Sequence, residues 1–280
     1  MKENYCFLNG EVRPFAETYV HLNELGLLRG FGVFDYLRTY QGVALHLQAH
    51  LNRLADSVRF LHLDWEWSHT QLAEILDELL YLRANPKADV AFRLVITGGF
   101  SDNGTDFQSP NFFITTETLA EMPSFYYTEG TKVILYDYQR QFPTIKTTNY
   151  LSSYLVRPEL QAQRAQDVLY HQNGQISECS RSNFFIFKGD TLITPSEGVL
   201  QGITRQTVLR LAKARFQVEI RPLRVEELSE AEEAFKTGTR AEIMPIVQVG
   251  TQRIGTGKVG AKTQLLRHDF FEYHQSAPLA

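Results

Sequence analysis

The chain has 280 residues, of which 43% are apolar and 21% charged, and its formal net charge is −4. These values are typical of a globular protein and exclude the basic excess that a nucleic-acid partner requires. The chain has neither a leader-like start nor an apolar run of about 20 residues, and its two cysteines lack paired spacing, so we expect a cytoplasmic protein without membrane contact or disulfides.

The first part of the chain is predicted to begin as sheet and to continue as helix. Apolar residues alternate on both sides of Asn9-Gly10 and of Gln41-Gly42, and such turn pairs predict β-hairpins. Apolar residues then recur at helical spacing in "LQAHLNRLADSVRFL" and "TQLAEILDELLYLRA", which predicts two helices of about 15 residues each. Two strand candidates, "VAFRLVITGG" and "NFFITTE", follow these helices.

Two domains are predicted, since the length exceeds the roughly 100 to 150 residues of a typical single domain. Pro123 and a polar run interrupt the pattern, so we place an interdomain linker at residues 118–128. A small N-terminal domain then covers residues 1–117, and a larger C-terminal domain covers residues 129–280.

The C-terminal domain is predicted to consist mainly of hairpins. Its strand candidates are joined by the turn pairs Asn173-Gly174 and Gly189-Asp190. Helices are expected only at intervals, at residues 149–165, 204–215 and 262–273. Hairpins with irregularly spaced helices favour an α+β fold over strict βαβ winding.

Four features of the second half could carry chemistry, although each has an ordinary alternative. Lys146 stands between a β-rich segment and a helix, and Glu178 ends a strand; both positions are usually solvated surface. Residues 202–204 begin a helix, where free N–H groups and the positive dipole end favour an anion. Residues 237–239 offer hydroxyl groups in a tight turn. Alone, none of these features identifies a site.

Neither a metal site nor a nucleotide-binding loop is predicted. His46 and His50 have the spacing of two ligands on one helix face, but no glutamate follows the first histidine and no third ligand is evident. In "GTGKVGAKT", Ala261 follows Gly260 at the point where a phosphate-binding loop requires lysine.

The order of these motifs resembles that of the fold-type IV pyridoxal-phosphate enzymes, which include branched-chain and D-amino acid aminotransferases and aminodeoxychorismate lyase. The motifs are Lys146 with "TTNYL", Glu178 in "ECSRSNFF", "GITRQ" and "TGTRAEI". "GVFDYLRTYQG" and "HLNRLADS" resemble the family's opening strand and its helix with a phosphate-binding arginine. The resemblance covers about residues 5–272. It implies a two-domain α+β fold, pyridoxal 5'-phosphate between the domains, and a homodimer in which the neighbour's loop completes each site.

The resemblance also implies roles for individual residues. Lys146 would form a Schiff base with the cofactor aldehyde and then move a proton between substrate and cofactor. Glu178 would hydrogen-bond to the protonated ring nitrogen, which keeps the ring an electron sink. Tyr150 would position the cofactor. The residues implied to bind the phosphate are Arg53, Ile203, Thr204 and Thr239.

The substrate-binding residues are predicted from one strand and two arginines. Alternation puts Phe34, Tyr36 and Arg38 on one face, and by resemblance this strand lines the substrate pocket. Branched-chain enzymes usually carry glycine at the position of Tyr36, so a tyrosine would crowd a pocket for branched side chains. Arg29 and Arg181 could bind the two carboxylates of glutamate or 2-oxoglutarate. We therefore expect a D-amino acid transaminase acting on D-glutamate or D-alanine with a 2-oxo acid acceptor.

Three alternatives remain open at this stage. A branched-chain L-amino acid transaminase would prefer L-leucine, and an aminodeoxychorismate lyase would release pyruvate without any 2-oxo acid acceptor. A catalytically inactive binding protein of the same fold would lack the yellow absorbance of the bound cofactor.

Overall fold

The computed structural model describes residues 4–276, apart from 84, 86–87, 107–108 and 120. The described chain divides into two compact units. The first contains the described residues up to 119 together with Ile145–Asn149. The second contains Glu121–Thr144 and Tyr150–Ser276. No helix in the described part of the chain has both the length and the apolar character needed to span a membrane.

The first unit is built on a six-stranded antiparallel sheet with the strand order β2-β1-β6-β5-β3-β4. Its strands are β1 (Tyr5–Leu8), β2 (Glu11–Pro14), β3 (Gly32–Tyr40), β4 (Val43–Ala44), β5 (Val90–Thr97) and β6 (Asn111–Thr118). Its helices are α1 (Leu25–Arg29), α2 (Leu47–Phe60) and α3 (His69–Tyr81).

Both hairpins predicted in this unit are confirmed. Asn9 and Gly10 join β1 to β2, and Gln41 and Gly42 join β3 to β4. All four residues have positive φ angles, as a two-residue turn with the twist of a hairpin requires. The two predicted helices are confirmed as α2 and α3. Their leucines and the apolar faces of the sheet form one buried core.

The second unit contains a closed ring of strands. Its strands are β7 (Thr131–Asp137), β8 (Asp167–Gln172), β9 (Gln175–Cys179), β10 (Asn183–Lys188), β11 (Thr191–Pro195), β12 (Gln217–Arg221), β13 (Leu223–Arg224), β14 (Glu233–Gly238), β15 (Glu242–Val249) and β16 (Gln252–Arg253). Pairing runs in the order β10-β14-β15-β7-β8-β9 and returns to β10. The pair that closes the ring is Glu178 opposite Asn183.

The helices of the second unit differ from the prediction at two places. They are α4 (Phe125–Thr128), α5 (Leu151–Leu155), α6 (Arg157–Gln163), α7 (Ile203–Ala212) and α8 (Ala261–Ser276). The single helix predicted at 149–165 is wrong, since the chain forms α5 and α6 with Val156 between them. Pro158, in the first turn of α6, has no N–H to continue the ladder from α5. The segment predicted as linker contains α4.

The segment around Lys146 groups with the first unit, whereas the prediction assigned it to the C-terminal domain. Two main-chain hydrogen bonds to β3 account for this grouping. The N–H of Phe34 donates to the carbonyl oxygen of Lys146 at 2.9 Å, and the N–H of Thr148 donates to that of Gly32 at 2.9 Å. The backbone on both sides of the lysine is therefore fixed to a strand.

Candidate active site

Lys146 has a fixed backbone and a half-buried side chain. Its Nζ lies 4.5 Å from the centre of the Phe34 ring, within cation–π distance. Ile145, the preceding residue, packs against the core of the first unit. Lys146 is therefore not the freely solvated side chain that its position alone would favour.

Arg53, on α2 of the same unit, is held by a buried carboxylate. Its Nε and Nη2 donate to the two oxygens of Asp35 at 2.8 and 2.9 Å. Burial by itself raises the pKa of Asp35, but Arg53 and His50 together, through charge and hydrogen bonds, outweigh this effect and hold that pKa well below its usual range. A guanidinium bound along one edge is oriented to present its remaining donors to an anion.

His50 contributes to the same cluster. Its Nδ1 lies 2.6 Å from Asp35 Oδ1. Burial lowers the pKa of His50, so its ring is neutral at pH 7 and donates the Nδ1 proton to the carboxylate. His50 is thus a hydrogen-bond partner of Asp35, and no group of three metal-ligating side chains occurs among the described residues.

In the second unit, Glu178 is a buried carboxylate at the closure of the strand ring. Oε2 accepts hydrogen bonds from Asn183 Nδ2 at 3.3 Å and from the N–H of Leu200 at 3.0 Å. Oε1 lies 3.1 Å from Arg140 Nε, as an ion pair whose N–H is not aligned for a hydrogen bond. These partners fix the orientation of the carboxylate. No sequence motif had pointed to Arg140, and Asn183, although it belongs to "ECSRSNFF", had been given no role.

Tyr150 lies between two arginines of this unit. The guanidinium carbon of Arg140 is 4.6 Å from the centre of the Tyr150 ring, and that of Arg181 is 5.8 Å away. Burial lowers the pKa of Arg140, but Tyr150 and Glu178 outweigh it, so the pKa is raised overall. Of the predicted residues, the structure thus brings Tyr150 and Arg181 together.

The start of α7 has the properties of an anion site. Gly202 caps the helix without a side chain, so the N–H groups of Ile203 and Thr204 face no capping oxygen from it. A Cβ at Gly202 would lie 2.1 Å from Asn183 Oδ1, so only glycine fits there. Because Asn183 also binds Glu178, the helix start and the carboxylate share a partner.

Near the end of β14, Thr237 has a buried hydroxyl group without a hydrogen-bond partner. Thr239 follows in the turn and is half-buried. An unpaired buried hydroxyl is costly unless a bound group satisfies it. Together with the start of α7, this turn fits the phosphate of a cofactor, and Glu178 fits a protonated ring nitrogen.

A cation that the sequence analysis did not single out lies against the predicted substrate strand, β3. Arg93, on β5, lies 5.6 Å from the centre of the Phe34 ring and 5.0 Å from that of Tyr36. Its Nε donates to Glu117 at 2.7 Å. The signal was a single charged residue inside the apolar run "VAFRLVIT". Phe34 and Tyr36 therefore share one face of β3, as alternation predicts.

Two other predicted arginines have local partners. Arg38 lies over the Tyr40 ring at 4.1 Å, and its Nη2 is 3.7 Å from Asp89. Arg29 is exposed at the end of α1, where Nη1 donates to the carbonyl oxygen of Leu28 at 3.1 Å.

Comparison with known proteins decides the family. The model of class IV aminotransferases matches residues 32–249. The chain belongs to this family. A Methanocaldococcus jannaschii protein provisionally named a branched-chain-amino-acid aminotransferase is 33% identical over 278 residues, which cover 94% of each chain. The D-alanine aminotransferase of Bacillus licheniformis is 27% identical over 265 residues, covering 91% of this chain and 92% of that one.

The fold agrees with this assignment. The crystal structure of the Escherichia coli branched-chain amino acid aminotransferase superposes with a TM-score of 0.90 and 28% identity, covering 97% of this chain and 94% of that chain. The protein is a pyridoxal-phosphate-dependent aminotransferase with the two-sheet, mixed α/β structure of fold type IV.

Proposed function

We propose that this aminotransferase acts on D-amino acids, with D-glutamate or D-alanine as amino donor and 2-oxoglutarate as acceptor. The observation that carries the proposal is the face formed by Phe34, Tyr36 and Arg93. A cation held against two aromatic rings suits a substrate carboxylate better than a branched apolar side chain. Arg29 and Arg181 are proposed as further carboxylate-binding residues, and Arg38 as part of the pocket wall.

In the proposed mechanism, separate residues of the chain bind the cofactor, keep its ring protonated and transfer the proton. The bound cofactor supplies an aldehyde that bonds to an amine and a protonated ring that withdraws electrons. Lys146 supplies the amine and, when the substrate displaces it, carries the proton to and from the substrate Cα. Glu178 keeps the proton on the ring nitrogen. Tyr150 positions the ring, and the phosphate-binding residues are Arg53, Ile203, Thr204 and Thr239.

A branched-chain L-amino acid transaminase is the second candidate. The names of the M. jannaschii and E. coli relatives favour it. Against it stands Tyr36, whose ring and Glu117 partner fill space on the face of β3. An aminodeoxychorismate lyase is a third candidate, and pyruvate release without a 2-oxo acid would identify it.

We propose a homodimer because the first unit exposes six large apolar side chains within one short segment. Residues 15–28 present large apolar side chains to solvent, which monomeric proteins rarely group so closely. They are Phe15, Tyr19, Val20, Leu22, Leu27 and Leu28. Burying such side chains in a two-fold interface would stabilise the dimer.

The absorbance spectrum of the purified holoenzyme tests the cofactor and the stereochemistry. D-Glutamate and D-alanine, added separately, are expected to bleach the yellow absorbance faster than L-leucine or L-glutamate do. Faster bleaching by L-leucine would establish the branched-chain alternative and defeat the D-amino acid proposal.

The role of Lys146 is tested by borohydride reduction and peptide mapping. The pyridoxyl label is expected on Lys146 in the wild type and to be lost from Lys146→Ala. Lys132→Ala is the matched control, because Lys132 is also half-buried and donates to the carbonyl oxygen of Gln163 at 3.0 Å. Label on any other lysine would refute the assignment.

A further inference from the structure

Besides the Arg140–Glu178 pair, the second unit contains a buried ion pair inside its ring of strands. Lys236 Nζ is 2.6 Å from Asp167 Oδ2, and each residue is only 6% exposed. Lys236 is on β14 and Asp167 on β8. Two strands separate β14 from β8 in either direction around the ring, so the pair crosses the interior of the barrel. No step of the proposed mechanism uses either residue.

The aspartate of this pair holds the turn after β9. Asp167 Oδ1 accepts from Ser180 Oγ at 2.5 Å and from the Ser180 N–H at 3.3 Å. Burial by itself raises the pKa of Asp167, but Lys236 together with the hydrogen bonds from Ser180 and Val168 outweighs it and the pKa is lowered, so the carboxyl is ionised and accepts both hydrogen bonds. Ser180 is two residues from Glu178.

The turn after β9 also holds Arg140. The carbonyl oxygen of Ser180 accepts a hydrogen bond from Arg140 Nη2, while Arg140 Nε pairs with Glu178 Oε1. One guanidinium thus contacts both the Ser180 carbonyl oxygen and Glu178, besides the Tyr150 side chain. If the Ser180 carbonyl moved away, both guanidinium donors could turn to Glu178 as a bidentate pair. A carboxylate bound in that way is a weaker acceptor for any other proton.

We infer that the Lys236–Asp167 pair is a positioning element for Glu178. By fixing Ser180 across the barrel, it holds Arg140 Nη2 on the Ser180 carbonyl oxygen, which opposes a bidentate pairing of Arg140 with the carboxylate and favours binding of the ring nitrogen by Glu178. The inference rests on the proposed role of Glu178. It adds four positioning residues to the mechanism, of which Lys236 and Asp167 are the most remote: Lys236, Asp167, Ser180 and Arg140.

The first test replaces lysine by a neutral side chain of similar shape. Lys236→Met leaves Asp167 buried and unpaired, so Asp167 is expected to draw Arg140 or the turn out of place. With ¹⁵N-labelled cofactor, the ring-nitrogen chemical shift should move toward the unprotonated value. The rate of amino-group transfer to the cofactor should fall by about tenfold, the lower end of effects at positioning residues.

The double variant Lys236→Met/Asp167→Asn separates geometry from charge. The amide side chain at position 167 would keep an oxygen that accepts from Ser180 and would leave no unpaired charge, since neutral replacement of both partners of a buried pair is often tolerated. The ring-nitrogen shift and transfer rate of this variant should therefore return toward those of the wild type. A double variant as impaired as Lys236→Met would overturn the inference.

Two further variants keep the test decisive if Lys236→Met fails to fold. Ser180→Ala deletes only the Oγ hydrogen bond to Asp167, and it should change the ring-nitrogen shift and the rate in the same direction, by a smaller amount. Lys262→Met is the matched control, because Lys262 pairs with Asp190 and Glu232 in the same unit. It should lower the melting temperature at most.

The outcomes separate the inference from the proposed function. If the wild type shows no ring-nitrogen signal or no amino-group transfer, the proposed function fails. If the wild type shows both and Ser180→Ala and Lys236→Met match it in shift and rate, the ion pair merely stabilises the barrel and the inference is refuted.

Discussion

Asn183 links three parts of the second unit through one side chain. Its Nδ2 lies 3.3 Å from Glu178 and 2.8 Å from the carbonyl oxygen of Leu200, and its Oδ1 faces Gly202. The carboxylate and the start of α7 are therefore positioned by the same amide. A substitution at the helix start that moves Asn183 should therefore also change the hydrogen bond from Asn183 to Glu178.

Gly202→Ala is the residue-scale prediction. The new Cβ would lie 2.1 Å from Asn183 Oδ1, so the amide must move and its bond to Glu178 must lengthen. Overpacking of this kind costs about 1–3 kcal/mol of stability. We expect weaker binding of the cofactor, measured by equilibrium titration of the apoenzyme. Gly189→Asn is the control, since nothing lies within 4 Å of that position and asparagine tolerates its positive φ. Unchanged cofactor affinity in Gly202→Ala would contradict the prediction.

Sequence patterns identified residues whose motifs are local. Lys146 and Glu178 could be singled out because each belongs to a short ordered motif. Lys236 and Asp167 could not, since 69 residues separate them and only the closed ring brings them together. Arg53 was named from its motif, but its contact with Asp35 was not predicted, because that contact depends on α2 packing beside β3.

At the scale of elements, Arg221 and Glu227 join β12 to the short helical segment after β13. Arg221 Nη1 and Nη2 donate to the two oxygens of Glu227 at 3.0 and 2.7 Å. The hydrogen bonds from Arg221 lower the pKa of Glu227 to about 2. This bidentate pair fixes the segment at the end of the sheet.

The pH dependence of this pair gives a second prediction. Because the pKa of Glu227 is lower in the folded protein than its usual value of 4.5, its contribution to stability is present above pH 4.5 and is lost as the pH falls toward about 2. Glu227→Gln should therefore be less stable than wild type at pH 7, and the difference should shrink between those values. Urea unfolding at several pH values measures it, and a difference independent of pH would count against the pair.

Turn residues and apolar periodicity predicted most of the helices and strands. The ring of strands was not predicted, because it depends on pairing between segments that are distant in the sequence. Turn pairs with positive φ marked the hairpins, and apolar periodicity marked α2 and α3. Pro158 is a residue type that interrupts helices, but the apolar pattern on both sides of it led to the prediction of a single helix. In the ring, β7 pairs in parallel with both β15 and β8, and such pairings leave no local signal.

The two units have separate buried cores, and the exposed apolar side chains of residues 15–28 belong to neither. Leu22 is 77% exposed, so within one chain a charge there should cost almost no folding stability. Its exposure has a physical explanation if a second copy of the chain covers it.

Leu22→Asp is the prediction at this scale. It should weaken the homodimer and leave the melting temperature of the monomer nearly unchanged, because a charge in an apolar interface is desolvated without a partner. Sedimentation velocity over a concentration series measures the association. Tyr81→Asp is the matched control, since Tyr81 is 79% exposed in the same unit but lies outside the segment. If both variants associate like the wild type, residues 15–28 are not the interface.

The closed ring of strands also limits how the second unit can open. An edge strand can fray from its single neighbour, but β9 and β10 are held on both sides. Water can therefore reach Glu178 by backbone fluctuation only if the barrel opens cooperatively, so the amides beside this carboxylate should be among the slowest in the chain to exchange with deuterium.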